Sequence, residues 1–141
     1  MGIVGFNFYA TLTFSQIVVN NQVTFSWEGN GVLLAGLYNA SLIVQNSTVT
    51  SKMTIMAQSD NEGVLVGNFI NVACAMTVQN VKLYLNLLNG TATMGVFGYV
   101  SAGVTVTAVV QNLTLNVSGL QCFQNNSGTL VKTTWTTVGC T

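Results

Sequence analysis

The chain carries a short inventory of side chains able to do acid–base or metal chemistry. The acids are Glu28, Asp60 and Glu62, the bases Lys52, Lys82 and Lys132, and the thiols Cys74, Cys122 and Cys140; there is no His and no Arg. Without an imidazole neither a Ser-His-Asp nor a Cys-His relay can form. Asp60 and Glu62 are the one close pair of acids, and a paired-carboxylate site is the chemistry they could offer. They sit in the polar stretch Gln58–Gly63, and Glu28 occupies the matching stretch one copy earlier, so a solvated turn accounts for them better. Three widely spaced cysteines without His do not match zinc spacing. A single Asp is too few for the calcium sites of repeat proteins. The glycine pairs of Gly63–Gly67 and Gly95–Gly98 lack both the Lys and the following helix of a phosphate loop. No catalytic residue, cofactor or metal site is expected, and the chain reads as non-enzymatic.

What the sequence does offer is acceptors for sugar. Asn39, Asn46, Asn89, Asn112, Asn116 and Asn125 each head an Asn-x-Ser/Thr triplet without Pro, which makes them candidate N-glycosylation sites. Glycans would also explain how so uncharged a surface stays dispersed, since only 4% of the residues are charged against about 25% in an ordinary domain. Lone lysines cannot neutralise a run of phosphates, so a nucleic-acid partner is excluded. The apolar stretches, such as 81–88 and 104–110, are broken by Thr, Asn or Lys and fall short of the ~18 residues of a membrane-spanning helix. A net charge of zero favours association, and the chain itself is the expected partner.

The elements that must present these residues come from an internal repeat, which is sought first because it decides the fold. Gly5, Gly36, Gly67 and Gly98 stand 31 residues apart, each after a short apolar pair, and read as repeat corners. A second landmark recurs at Val44-Gln45-Asn46, Val78-Gln79-Asn80 and Val110-Gln111-Asn112, with a worn version at Val18-Val19-Asn20. Between landmarks apolar and polar residues alternate, as in Val81, Leu83, Leu85 and Leu87 against Lys82, Tyr84 and Asn86. Period two means strands with one buried face, and the absence of Pro suits stacked strands. Cys74 falls on the apolar phase of Ile70, Val72, Met76 and Val78 and is expected to pack as a small hydrophobe. Met1-Gly2 is matched by Met94-Gly95, so Met1 reads either as an internal position of a longer array or as an ordinary start residue that happens to match.

Two strands and two corners are too little to bury their own apolar face, whereas stacked copies bury one another. The expected fold is all-β, a β-solenoid (parallel β-helix or β-roll) of four ~31-residue repeats. Its copies are placed at about 1–30, 31–62, 63–94 and 95–120. The alternative is an antiparallel β-sandwich with strand donation. Residues 121–141 break the pattern and read as a C-terminal cap or intersubunit strand. Cys122 and Cys140 are its candidate disulfide, closing a loop of about 19 residues at a gain of on the order of 3 kcal/mol.

The glycine-bounded apolar pairs followed by alternating strands resemble the short GLUG-type repeats of bacterial surface proteins over roughly residues 1–120. The Asn/Ser/Thr-rich, low-charge style is similar to that of repeat-rich surface proteins of flagellate protists, and also to that of archaeal extracellular threads and pili. These resemblances imply an extracellular or cell-surface structural protein that self-assembles into a filament or layer. A glycan- or surface-binding adhesin module, with Tyr84 and Tyr99 as candidate contacts, is the alternative they imply.

Overall fold

A computed structural model describes residues 4–25, 31–55, 63–70, 72–88, 95–117, 120–123 and 127–141. Among them there are strands and no helix, as the richness in Val, Thr, Ile and aromatic residues requires. The strands are β1 (Val4–Phe8), β2 (Thr11–Ser15), β3 (Val18–Phe25), β4 (Leu34–Tyr38), β5 (Ser41–Ile55), β6 (Gly63–Ile70), β7 (Ala73–Leu88), β8 (Gly95–Val100), β9 (Thr105–Leu115), β10 (Gln121–Phe123) and β11 (Thr129–Val138).

The chain visits two sheets in turn. One has the order β1-β4-β6-β8-β10, the other β11-β9-β7-β5-β2, with β3 also pairing with β5. Every strand pair among the described residues is parallel. Parallel neighbours need a crossover between them, and here each sheet serves as the crossover of the other. The antiparallel sandwich weighed as an alternative is therefore corrected: the strands of each sheet all run one way. Among the described residues neither sheet closes on itself, so β1 and β10 are edges of the first sheet, and β2 with β3 and β11 of the second.

The two sheets share one core. Leu37, Phe69 and Val100 lie in register on β4, β6 and β8 and are wholly buried. The same core takes in columns of the second sheet such as Val44, Val78 and Val110. The alternation read from the sequence holds in the second half of β7, where Val81, Leu83 and Leu85 are buried and Lys82, Tyr84 and Asn86 exposed.

The buried phase changes partway along each long strand. In β5, Leu42 and Val44 are buried, and beyond Asn46 it is Ser47, Val49 and Ser51. In β7 the switch falls between Val78 and Val81, and in β9 between Val110 and Leu113. At each switch stands an asparagine with left-handed backbone: Asn46 (φ 49°), Asn80 (φ 52°) and Asn112 (φ 54°). A single left-handed residue turns the strand, and Asn tolerates that conformation better than other residues bearing a Cβ. Both arms of the bent strand can then face one core.

The register corrects three expectations. Gly5, Gly36, Gly67 and Gly98 lie inside β1, β4, β6 and β8, not at corners. Nor do they form one column. Gly36 pairs with Phe6 and with Asn68, while Gly67 falls opposite Gly98 between the pairs Val66–Phe97 and Asn68–Tyr99. Register follows the buried columns, because a slip of one residue would turn a strand's core set outward. The structural advance is accordingly 30 residues from Val4 to Leu34, 32 from Leu34 to Val66 and 31 from Val66 to Phe97. The first-copy counterpart of Val-Gln-Asn is Phe14-Ser15-Gln16, since Phe14 pairs with Val44 and Ser15 with Gln45; Val18 pairs with Thr48. Residues 121–141, set apart by the sequence, add one more strand to each sheet: β10 beside β8 and β11 beside β9.

Candidate functional site

The most ordered polar feature of the molecule is the line of bends in the second sheet. The registers of β2, β5, β7, β9 and β11 align Gln16, Asn46, Asn80, Asn112 and Thr137, and all five are left-handed. The Asn80 amide Nδ2 donates to Asn46 Oδ1 at 3.0 Å, and Asn112 Nδ2 donates to Asn80 Oδ1 at 2.9 Å. One residue earlier Gln79 Nε2 donates to Gln111 Oε1 at 2.6 Å, and Gln45 Nε2 to the Ser15 hydroxyl at 3.3 Å. An amide both donates and accepts, so it can bond to the layer above and the layer below without any charge. The repeated Val-Gln-Asn was the signal for this ladder, although Asn80, which heads no sequon, was not singled out as a site.

The ladder alters the reading of the sugar acceptors. Asn112 is exposed, but its Nδ2 already donates to Asn80. Asn116 is committed at both ends, because its Oδ1 accepts from the Leu85 N–H at 2.7 Å and its Nδ2 donates to the Leu85 carbonyl at 3.0 Å. It satisfies the backbone of β7 where β9 has ended. A glycan on Nδ2 replaces one of its two hydrogens and crowds the other. Asn46 is exposed and uses its oxygen in the ladder, and Asn39 is exposed at another left-handed position (φ 50°). Asn89 and Asn125 lie outside the described residues.

Cys122 and Cys140 are joined in a disulfide with Cα atoms 4.9 Å apart. The bond ties β10 to the chain beyond β11, and Cys122 N–H also donates to the Thr141 carbonyl at 2.6 Å. Beside it Phe123 packs against Phe97 and Phe69, with Trp135 stacked at 6.3 Å and Lys132 over the indole at 4.6 Å. Cys74 is buried, and its thiol donates to the Leu37 carbonyl at 3.6 Å. Its expected companion Val72 is 66% exposed, because the chain turns there between β6 and β7 and the strand phase restarts.

An aromatic cluster that the sequence reading did not identify lies at the turn from the first sheet to the second. Phe8 and Tyr38 are register partners with ring centroids 5.1 Å apart, and Tyr9 meets Tyr38 edge-on at 5.7 Å. Phe8 is 55% and Tyr9 68% exposed. Tyr9 is itself left-handed (φ 55°). Of the two tyrosines singled out from the sequence, Tyr84 is exposed and Tyr99 half-buried, and they do not belong to this cluster.

The three acids lie outside the described residues, and among the described residues no three His, Cys, Asp or Glu side chains group to hold a metal. A shallow groove beside the end of β9 is lined by Leu113, Thr114, Leu115, Thr137, Val138 and Gly139, none of them ionisable. No protein-family model, no curated protein and no solved structure matches the chain.

Proposed function

We propose that the chain is a β-solenoid with a structural, non-enzymatic role outside the cell, and that it self-assembles by β-strand stacking into a filament or surface layer. The observation that carries this reading is the pair of sheet edges, poor in charge, at opposite ends of the stacked parallel strands. Among the described residues, β1 and β2 at one end and β10 and β11 at the other each pair on one side only. Edges of soluble proteins are normally blunted by charge, Pro or bulges. Here β1, β2, β3 and β10 carry no charged residue and the chain has no Pro, whereas β11 carries Lys132 with a shift of register beside it. The first stack member also leaves Leu12, Phe14 and Ile17 only half-covered, with Val18 exposed. Its chain direction and left-handed bend at Gln16 match those of β11 at Thr137, so a further layer would meet a surface of the right contour.

An extracellular setting agrees with the Cys122–Cys140 disulfide, since such bonds persist in oxidising compartments. The uncharged amide ladder would serve a polymer well, because its strength does not depend on salt. Electron microscopy of the native material, with intact-mass analysis of the same sample, tests the reading. Regular filaments carrying added hexose mass support it. Dispersed single particles of bare polypeptide mass at high concentration overturn it.

A further inference from the structure

The turn that follows the first sheet differs from the amide ladder in one respect. Phe8 pairs with Tyr38, so the next residues, Tyr9 and Asn39, occupy equivalent left-handed positions in adjacent layers. The Tyr9 N–H donates to the Tyr38 carbonyl at 3.1 Å, which locks the two layers together there. Equivalent backbone conformation sends the two side chains out of the same surface, about 4.8 Å apart. At the other bends an Asn in such a position bonds to an amide in the neighbouring layer. Here the neighbour is a phenol, and the Asn39 amide makes no hydrogen bond to the described residues.

Tyrosine is also a costly choice for that position. A left-handed backbone is disfavoured for a residue with a bulky Cβ substituent, and local strain of this kind gathers at functional positions. The ring is moreover exposed rather than buried, so packing does not repay the strain. With Phe8 and Tyr38 it makes an apolar platform of three rings, and Asn7 braces the turn beneath. The Asn7 Nδ2 donates to the Ala10 carbonyl at 3.0 Å and to the Ser41 carbonyl at 3.3 Å. The platform has no charged residue on it, and the sequon Asn39-Ala40-Ser41 opens at its rim.

We propose that Asn39 is an N-glycan acceptor and that its first sugar, an N-acetylhexosamine, lies against the rings of Tyr9 and Tyr38. The proposal rests on the extracellular reading above. In the transfer, Asn39 Nδ2 bonds to C1 of the reducing-end sugar of a polyprenyl-diphosphate oligosaccharide. The C1–O bond to the diphosphate breaks, one amide proton is lost, and polyprenyl diphosphate leaves; no oxidation state changes. The axial C–H groups of a pyranose present a weakly positive apolar face, which suits the negative face of an aromatic ring. A neutral sugar also suits a platform without charge. Asn112 and Asn116, whose amide nitrogens are already bonded, have no such platform in the described structure.

The test uses the full chain secreted from a eukaryotic cell line that performs N-glycosylation. Site occupancy is read by peptide mass mapping, and glycans are then trimmed to a single sugar by an endoglycosidase. The trimmed protein is expected to melt about 2–5 °C above Ser41→Ala, which removes the sequon and keeps Asn39. Tyr9→Gly, which keeps the left-handed turn, removes the ring and creates no sequon, is expected to keep Asn39 occupied and lose that increment. In the wild type, the acetyl and ring protons of the sugar are expected to shift upfield from the ring currents, a readout independent of any variant. An unoccupied Asn39 beside an occupied Asn46 overturns the proposal and leaves the extracellular reading standing. Failure of the chain to be secreted with any sequon occupied overturns both. An occupied Asn39 with no melting increment and no upfield shift overturns the platform.

Discussion

Among single residues, the asparagines do the most, and they do so in two different ways. Asn80 sits in the middle of the ladder, both donating and accepting. Asn80→Ala loses two hydrogen bonds and the tolerance for left-handed backbone, and should cost about 2–3 kcal/mol in denaturant unfolding. Asn80→Gly keeps the conformational freedom and should cost about 1 kcal/mol less than Ala, despite losing the same bonds. Asn116 acts as a surrogate strand, covering the N–H and carbonyl of Leu85 at once. Asn116→Asp is nearly isosteric but cannot donate to the carbonyl. A loss of about 1–3 kcal/mol is expected, read as a lower unfolding midpoint with an unchanged denaturant slope. Asn80 was legible as part of a repeated triplet. The bonding of Asn116 was not, because its partner stands 31 positions away in the chain.

At the scale of the strand, glycines decide how closely neighbouring strands approach. A Cβ built on Gly98 would collide with the Gly67 carbonyl, and one on Gly63 with the backbone of Val66 and Gly98. A Cβ added at Gly128 would lie only 2.5 and 2.6 Å from the Val104 and Ser101 carbonyl oxygens. Gly98→Ala must therefore push backbone apart in the middle of β8, at an expected cost of about 3 kcal/mol or more, visible as loss of the folded fraction at ambient temperature. Gly103 has a left-handed φ of 79° with open space around it, so Gly103→Asn, the residue type at Asn39, should fold normally. The sequence marked the right residue type at Gly98 and assigned the wrong task, a corner instead of close approach to the Gly67 backbone. Spacing alone cannot separate those tasks, since both repeat with the layer.

For the molecule as a whole, the last layer and the absence of charge matter most. Reduction of Cys122–Cys140, or the double change to Ser, should lower stability by on the order of 3 kcal/mol, with hydrogen exchange rising first in β10 and β11. The proposed assembly, through edge strands whose one charged residue is Lys132, should be nearly insensitive to ionic strength. Light scattering of filament growth at 20 mM and 500 mM salt is expected to give about the same rate, because Debye screening acts only on charges. A strong salt dependence would point instead to the three lysines as the contacts. What the sequence by itself determined is whatever depends on local order. Alternation declared the strands and the buried phase of β7, the inventory of side chains removed the usual catalytic constellations, and the repeated triplet marked the bends. The tertiary structure decided which repeat was the true one. Register is chosen by columns such as Leu37, Phe69 and Val100, whose members are about 30 residues apart and whose fit no local pattern encodes. The same long-range packing joined Tyr9 to Asn39 and Asn116 to Leu85, and drew residues 121–141 into both sheets as a fifth layer.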